Sequence, residues 1–510
     1  MNVYQSTQTA IASLLALTLA VVPYAPLVAQ TNVQERRIGP AINLPKLGDA
    51  GEEDFPLNVE RKIGEEIFRE YQSSGLLVDD PEVTDYLWQV ASKLTKSVNA
   101  NGYDFKFFVV RDPSINAFAM PGGYIGVHTG LLAAAQSESE LASVLAHEIG
   151  HITQRHIARM LAQQKQTSVL SLAGLVLAVL AARNNPQAAF GALSLGSTLQ
   201  TTSLLSFSRD AEREADRVGF DMLGQGGFDP AGMALFFTRL QQANRLNESR
   251  APEYFRTHPL TQDRISDVQL RLQSTRYKQR TDPLDFFLVR SRLSAGLDGS
   301  VDGLARSRSR IEVALRDKTA GNELAAWFGL GHVALLQRDF ASVDKALLEM
   351  RKRLASYGAA GGHPMIESLA IETKMQIADN AGALELAKAA QAKFVQSRAI
   401  GQIYAKALLA NGQAELARVF LENQLSLFKT DLQSWSLLAK SYDALNQPVL
   451  AHRATAEQYA LLGAWPAAIG QLELAQKTGS SDFYLSSQID AKLREWRLFY
   501  QREQRERAGR

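Results

Sequence analysis

His147, Glu148 and His151 stand in the order His-Glu-Ile-Gly-His. On a helix, residues four apart lie one turn apart on the same face, so both imidazoles can reach a single ion. Glu148 falls about 100° round the same helix. From there its carboxylate can take the proton of a water whose pKa a zinc ion lowers to about 7. The chain has only 8 histidines in 510 residues, so this spacing is rare by chance. The chemistry it points to is zinc-assisted attack of water on a peptide carbonyl, with one zinc per chain. His156 lies nine positions past His147; a continued helix carries it to the opposite face, so it is expected at the surface.

Zinc in a hydrolase takes three protein ligands and keeps one position open, so a further ligand must come from elsewhere. The charged, helical stretch from Ser208 to Arg217 places Glu212 and Asp216 on one face, with Glu214 pointing away. Glu212 can bind the metal while Asp216 accepts the free ring N–H of a ligand histidine. The plain alternative is a solvated run of charges.

The elements that must hold these residues follow from the pattern around them. Ser137 to Gln164 reads as one long helix, opened by the capping box Ser137-x-x-Glu140. Asp104 to Val110 reads as a strand, and Asn116 to Val127 as a hairpin turning at Pro121-Gly122-Gly123. That hairpin, with Asn116, Phe118, Met120 and Tyr124, is either an edge that pairs with an extended substrate backbone or a purely structural element. From Leu57 to about Lys96 the pattern is helical, with Ile63, Ile67 and Tyr71 at four-residue steps. Two apolar runs, 169–182 and 188–207, are too short or too interrupted to span a bilayer. They form either a buried helical hairpin or lid, or a peripheral contact with lipid or a membrane-embedded client.

Past residue 280 the chain is rich in Ala, Leu and Gln and helical to its end. Ala383, Ala417 and Ala451 recur every 34 positions, as do Ala405 and Ala439, and Leu408 and Tyr442. Trp435-x-x-Leu438-Ala439-x-x-Tyr442 followed by Ala451 fits the tetratricopeptide pattern, with Trp327-x-x-Leu330-Gly331 as an earlier match. Small residues suit helix crossings and large ones fill the grooves between repeats; a generic helical bundle is the alternative.

Composition sets the outer limits. Hydrophobic residues are 46% and charged residues 21%, values of a globular chain. With 55 basic and 53 acidic side chains the net charge is +2, which leaves no electrostatic footprint for nucleic acid. The absence of cysteine excludes disulfides, thiolate zinc sites and a cysteine nucleophile. Residues 11–28 are apolar, end near Pro23 and Pro26, and precede a small residue at Ala29, which reads as a signal peptide although no Lys or Arg comes before it. An uncleaved anchor is the alternative. Either places the bulk of the chain outside the cytoplasm, which in a bacterium means the periplasm.

His147-Glu148-x-x-His151 followed by Glu212-x-x-x-Asp216 resembles metallopeptidase family forty-eight, the family of HtpX-like and CAAX-prenyl proteases. Asn116-Ala-Phe-Ala-Met-Pro-Gly-Gly-Tyr-Ile with Gly130-Leu-Leu, and Thr257-His258-Pro259 with Arg264-Ile265, resemble its flanking segments. The resemblance covers about residues 60 to 275. It implies an α+β, mainly α fold, with a zincin-type domain holding a small sheet and a tetratricopeptide α-solenoid behind it. Glu212 would be the third ligand, Glu148 the general base and Asp216 an orienting carboxylate. His258 would be either a fourth ligand that holds the enzyme latent or a histidine capping a turn. Arg264 would support either the transition state or the local fold. The implied organisation is a signal peptide over 1–29, a linker over 30–56, the metallopeptidase over 57–277 and repeats over 278–510. Exported, repeat-bearing members imply a periplasmic endopeptidase that degrades misfolded or stalled outer-membrane β-barrel proteins alongside the barrel assembly machinery. The alternative is a chaperone or assembly factor that works through its repeats with its zinc site latent.

Overall fold

The computed structural model describes residues 55–98, 102–163, 207–246, 254–275, 280–479 and 481–508. The expected signal peptide, nearly all of the linker, and both apolar runs except Phe207 lie outside the described residues. No helix among the described residues is long and apolar enough to cross a membrane.

The helical stretch expected from 57 to 96 is two helices, α1 (Leu57–Ser73) and α2 (Pro81–Thr95). Pro81 fixes the first turn of α2, and the Asp80 side chain accepts the Glu82 N–H at 3.0 Å. Between the two helices the chain runs beside the first strand, where Val78 N–H donates to Val109 at 2.9 Å. The strands β1 (Lys106–Val110), β2 (Ala117–Met120) and β3 (Tyr124–His128) make a mixed sheet in the order β1-β3-β2. β1 is parallel and β2 antiparallel to β3. The expected hairpin is therefore present, and β2 is the edge on its side.

After α3 (Thr129–Ala134) comes α4 (Glu138–Thr153), whose sixteen residues are all buried. Ser137 Oγ accepts the Glu140 N–H at 3.1 Å. Glu140 does not complete the reciprocal box: its carboxylate accepts the Gln136 N–H at 3.0 Å and pairs with Arg239 through two 2.9 Å bonds. The helix also does not run on to Gln164. Arg155 adopts φ 54°, and a second helix, α5 (His156–Gln163), begins immediately afterwards. A left-handed non-glycine residue costs roughly 1–3 kcal/mol. Here Arg155 bonds the buried Glu60 at 2.9 Å and the Phe55 carbonyl, interactions that offset this.

α6 (Arg209–Gln225) lies across α4, flanked by α7 (Ala231–Leu246), the short α8 (Tyr254–Thr257) and α9 (Gln262–Gln273). The crossing of α4 and α6 depends on two glycines. A Cβ on Gly150 would sit 3.0 Å from the Ala215 carbonyl oxygen, and one on Gly219 would sit 3.1 Å from the His147 backbone nitrogen. Their lack of side chains lets the two backbones approach closely enough for short carboxylate side chains to reach the histidines.

From α10 (Leu284–Gly296) and α11 (Val301–Arg316) onward the chain is helical. It continues as α12 (Glu323–Leu336), α13 (Phe340–Arg353), α14 (Pro364–Gln376), α15 (Asn380–Lys393), α16 (Arg398–Ala410), α17 (Ala414–Leu427), α18 (Leu432–Ala444), α19 (Pro448–Leu461), α20 (Trp465–Thr478) and α21 (Phe483–Ala508). The 34-residue alanines Ala383, Ala417 and Ala451 are buried, as are Ala405, Ala439, Leu408 and Tyr442. One continuous core joins Leu87 of α2, Leu145 of α4 and Phe220 of α6 to Phe286, Phe328 and Ile366 of the following helices.

Candidate metal centre

The cluster is assembled from two helices and a turn. α4 supplies His147, Glu148 and His151. Ser208 caps α6 by accepting the Ala211 N–H, which sets Glu212 in the first turn and Asp216 one turn on. The turn after α8 supplies His258, whose N–H donates to the Tyr254 carbonyl at 2.8 Å. His147, His151, Glu212 and His258 are all buried, and one ligand atom of each lies within 4.8 Å of the others. His147 Nε2 is 2.9 Å from His151 Nε2 and 3.4 Å from Glu212 Oε2. Glu212 Oε1 is 3.3 Å from His151 Nε2 and 3.0 Å from His258 Nδ1. His258 Nδ1 is 3.3 Å from His147 Nε2, and its Nε2 is 3.5 Å from Glu148 Oε1.

Three imidazoles and a carboxylate converging in a buried site suit a divalent ion. A tetrahedral ion bonded at about 2.0–2.1 Å holds its ligand atoms about 3.3–3.4 Å apart, close to the separations seen here. Glu148 fits the same reading, because neither of its buried oxygens has a hydrogen-bond partner among the described residues. Such an orphaned carboxylate is costly unless it serves a ligand or a reaction.

Charge is managed around the cluster. Burial favours the neutral form of Glu212, but His258, His147 and His151 outweigh it and hold the carboxyl well below its ordinary range. Burial works against charging His147 too, yet the Asp216 and Glu212 carboxylates raise it to about 9. Burial lowers His151. Burial raises Glu148 above the usual carboxylate range, with a further push from Glu212 and against the pull of His258 and His147.

Behind the cluster, Asp216 Oδ1 is 2.9 Å from His147 Nδ1. Arg264 is fully buried and grips Asp216 through two bonds of 2.6 and 2.8 Å, while its Nη1 lies 2.6 Å from Glu212 Oε2 and donates to the Pro259 carbonyl at 2.9 Å. All three guanidinium nitrogens thus serve acceptors of the chain. Of the two roles open to Arg264, this geometry favours holding the fold of the centre together.

The sequence matches the family model described as peptidase family M48 over residues 81–272. The beta-barrel assembly-enhancing protease of Escherichia coli K12 is 31% identical over 469 residues, which cover 91% of this chain and 93% of that protein. The chain belongs to peptidase family M48. Two shorter relatives are the metalloprotease LoiP of Escherichia coli, 28% identical over 38% of this chain and 72% of its own length, and the mitochondrial metalloendopeptidase OMA1 of Schizosaccharomyces pombe, 29% identical over 45% and 65%.

As an M48 member the chain is a metallopeptidase, and the M48 match contains every residue of the cluster. The expected substrate strand needs refining. Phe118, Met120 and Tyr124 turn into a core with Ile67, Tyr71 and Phe108, and Asn116 is buried, its carbonyl accepting the His128 N–H. Tyr124 also stands on β3, whose backbone is paired on both edges. What remains available to a peptide is the outer backbone edge of β2, not these side chains.

His156 is a correction. It is 3% exposed, not a surface residue, because the break at Arg155 turns it back onto His151. Its Nδ1 is 2.8 Å from His151 Nδ1, and its Nε2 is 3.0 Å from Glu214 Oε2. Glu214, expected to point away, is its partner. Sequence reasoning also missed Phe207, stacked on His151 at 3.9 Å, and Tyr254, stacked on His258 at 4.6 Å. Arg155-His156, placed just after α4, was the available signal for the break, but no periodicity argument could read it.

Proposed function

We propose that the protein is a zinc endopeptidase of the periplasm. It degrades misfolded or stalled outer-membrane β-barrel proteins and assists their assembly. The observation that carries this reading is the buried set of His147, His151 and Glu212 beside the unpartnered Glu148 carboxylate. The client class is supported by the likeness to the beta-barrel assembly-enhancing protease of Escherichia coli, which aligns over nearly its whole length. The peptidase would occupy 57–277, and the helix pairs of 278–510 would be tetratricopeptide repeats that dock clients or the barrel assembly machinery.

His147, His151 and Glu212 would hold the zinc, which when bound supplies a Lewis acid to polarise the scissile carbonyl and acidify the attacking water. Glu148 accepts the proton of that water and returns it to the leaving amine. Asp216 fixes the ring of His147, and Arg264 fixes Asp216 and Glu212. The free edge of β2 aligns an extended peptide through backbone hydrogen bonds, which makes recognition loose in sequence and suits unfolded chains.

A second reading is favoured by one contact. His258 stands among the ligand atoms, where it would take the position that an open zinc site leaves for water and substrate. In that state the zinc site is latent and the repeats act as a chaperone or assembly surface. Casein cleavage by the mature protein, its Glu148→Gln variant and its His258→Ala variant tests both readings. Cleavage by wild type and not by Glu148→Gln supports the endopeptidase. Cleavage that appears only in His258→Ala supports latency. No cleavage by any of the three removes the endopeptidase reading.

A further inference from the structure

His151 meets the metal cluster with one ring nitrogen and His156 with the other. Its Nε2 faces Glu212 at 3.3 Å and His147 at 2.9 Å, so it must carry a lone pair there to bind an ion. The proton of the neutral ring then sits on Nδ1, 2.8 Å from His156 Nδ1. Two ring nitrogens at that distance share one proton, so His156 Nδ1 accepts. The proton of His156 is left on Nε2, 3.0 Å from Glu214 Oε2, which can only accept. Arg159 holds that same oxygen at 2.6 Å.

This arrangement pairs each ring N–H in the row with an acceptor. The reverse arrangement puts a proton on His151 Nε2, toward the ion, and sets the lone pair of His156 Nε2 against a carboxylate. Glu214 therefore selects the tautomer of His151 from two rings away. Phe207, stacked on His151 at 3.9 Å and 24°, limits rotation of the ring.

We propose that His156 is a positioning residue of the metal centre: it accepts the Nδ1–H of His151 and relays the hydrogen bond to Glu214, fixing His151 Nε2 as a ligand atom. His151 is then oriented through a second imidazole, whereas the Asp216 carboxylate lies 2.9 Å from His147 Nδ1. The inference rests on the reading that His147, His151 and Glu212 hold a divalent ion.

The test is the Zn2+ affinity of the full mature chain by competition with a chromophoric chelator, with the visible spectrum of the Co2+ form and the unfolding temperature of the metal-free protein. Loss of a partner that orients a ligand weakens metal binding about 10–100-fold. His156→Leu is expected to lose that much and to alter the Co2+ spectrum, with little change in metal-free stability. His156→Asn keeps an acceptor near the position of Nδ1 and should recover most of the affinity. Glu214→Ala should lose a few-fold. Wild-type affinity and spectrum in His156→Leu would overturn the proposal, as would equal losses in the Leu and Asn variants, which would mean packing alone. Should His156→Leu not fold, unchanged affinity in Glu214→Ala overturns it. A wild-type chain that binds neither metal removes the metal centre itself, and this inference with it, whereas normal wild-type binding with indifferent variants removes only the role of His156.

Discussion

Glu148 is held without a hydrogen-bond partner among the described residues, next to three histidines and a second carboxylate. A buried carboxyl raised by its surroundings is a stronger base than one in water, which is what proton abstraction requires. Glu148→Gln should reduce casein turnover about 10²–10⁴-fold while Zn2+ affinity stays within a few-fold of wild type. Equal losses of turnover and metal binding would assign Glu148 to the ligand set instead. Asp216 makes a different prediction because it has two duties. Asp216→Ala should weaken Zn2+ binding about 10–100-fold through His147. It should also destabilise the metal-free protein by roughly 3–5 kcal/mol in urea unfolding, because the buried Arg264 loses its bidentate partner. Weaker binding with unchanged stability would mean that Arg264 finds compensation from Glu212.

At the scale of elements, the centre depends on how closely α4 and α6 approach. Gly150 faces the Ala215 backbone and Gly219 faces the His147 backbone, so an added methyl at either forces the helices apart. Gly150→Ala should cost about 1–3 kcal/mol, read as a lower urea midpoint, and should weaken Zn2+ binding by separating Glu212 from His151. The double variant with Gly219→Ala should cost less than the sum of the singles, since one displacement relieves both clashes. A Gly150→Ala protein as stable as wild type would show that α6 shifts at no cost. In the C-terminal helices the alanines that recur every 34 positions, Ala383, Ala417 and Ala451, are likewise buried.

At the scale of the whole molecule, the C-terminal helices are tied to the N-terminal ones by buried and half-buried ion pairs. Arg292 of α10 bonds Asp80 and Glu82 at 2.9 and 2.8 Å, and Arg398 of α16 bonds Asp85. Arg69 of α1 meets Glu503 of α21 at 2.9 Å, which brings the last helix onto the first. Burial pushes Glu82 up to about 7, against the pull of Arg292, from an ordinary value of 4.5. Between those two values the folded protein holds more protons than the unfolded chain. The stability contributed by Glu82 is therefore complete below about pH 4.5 and is lost as the pH rises through about 7. Glu82→Gln should flatten the fall in unfolding temperature from about pH 5 to 7.5 relative to wild type. An unchanged slope would mean that other groups dominate that window.

The sequence by itself determined what depends on local periodicity. His147 and His151 share a helix face because they are four residues apart, the alanines that recur every 34 positions are buried in helices, and Pro121-Gly122-Gly123 turns a hairpin. These relations are set by backbone geometry within a few residues or by a strict repeat. From spacing alone, the pairing of Glu212 and Asp216 with α4 stands level with a solvated charge run, and the family resemblance weights it. Their contact with His147 and His151 exists only because Gly150 and Gly219 let two distant segments touch. The tertiary structure alone decided the burial of His156, which follows from one left-handed residue at Arg155, and the triple hold of Arg264 on Asp216, Glu212 and Pro259. It also decided that β2 and not β3 carries the free edge. Each of these depends on side chains dozens of residues apart meeting in a dry interior, where position along the chain no longer predicts distance in space.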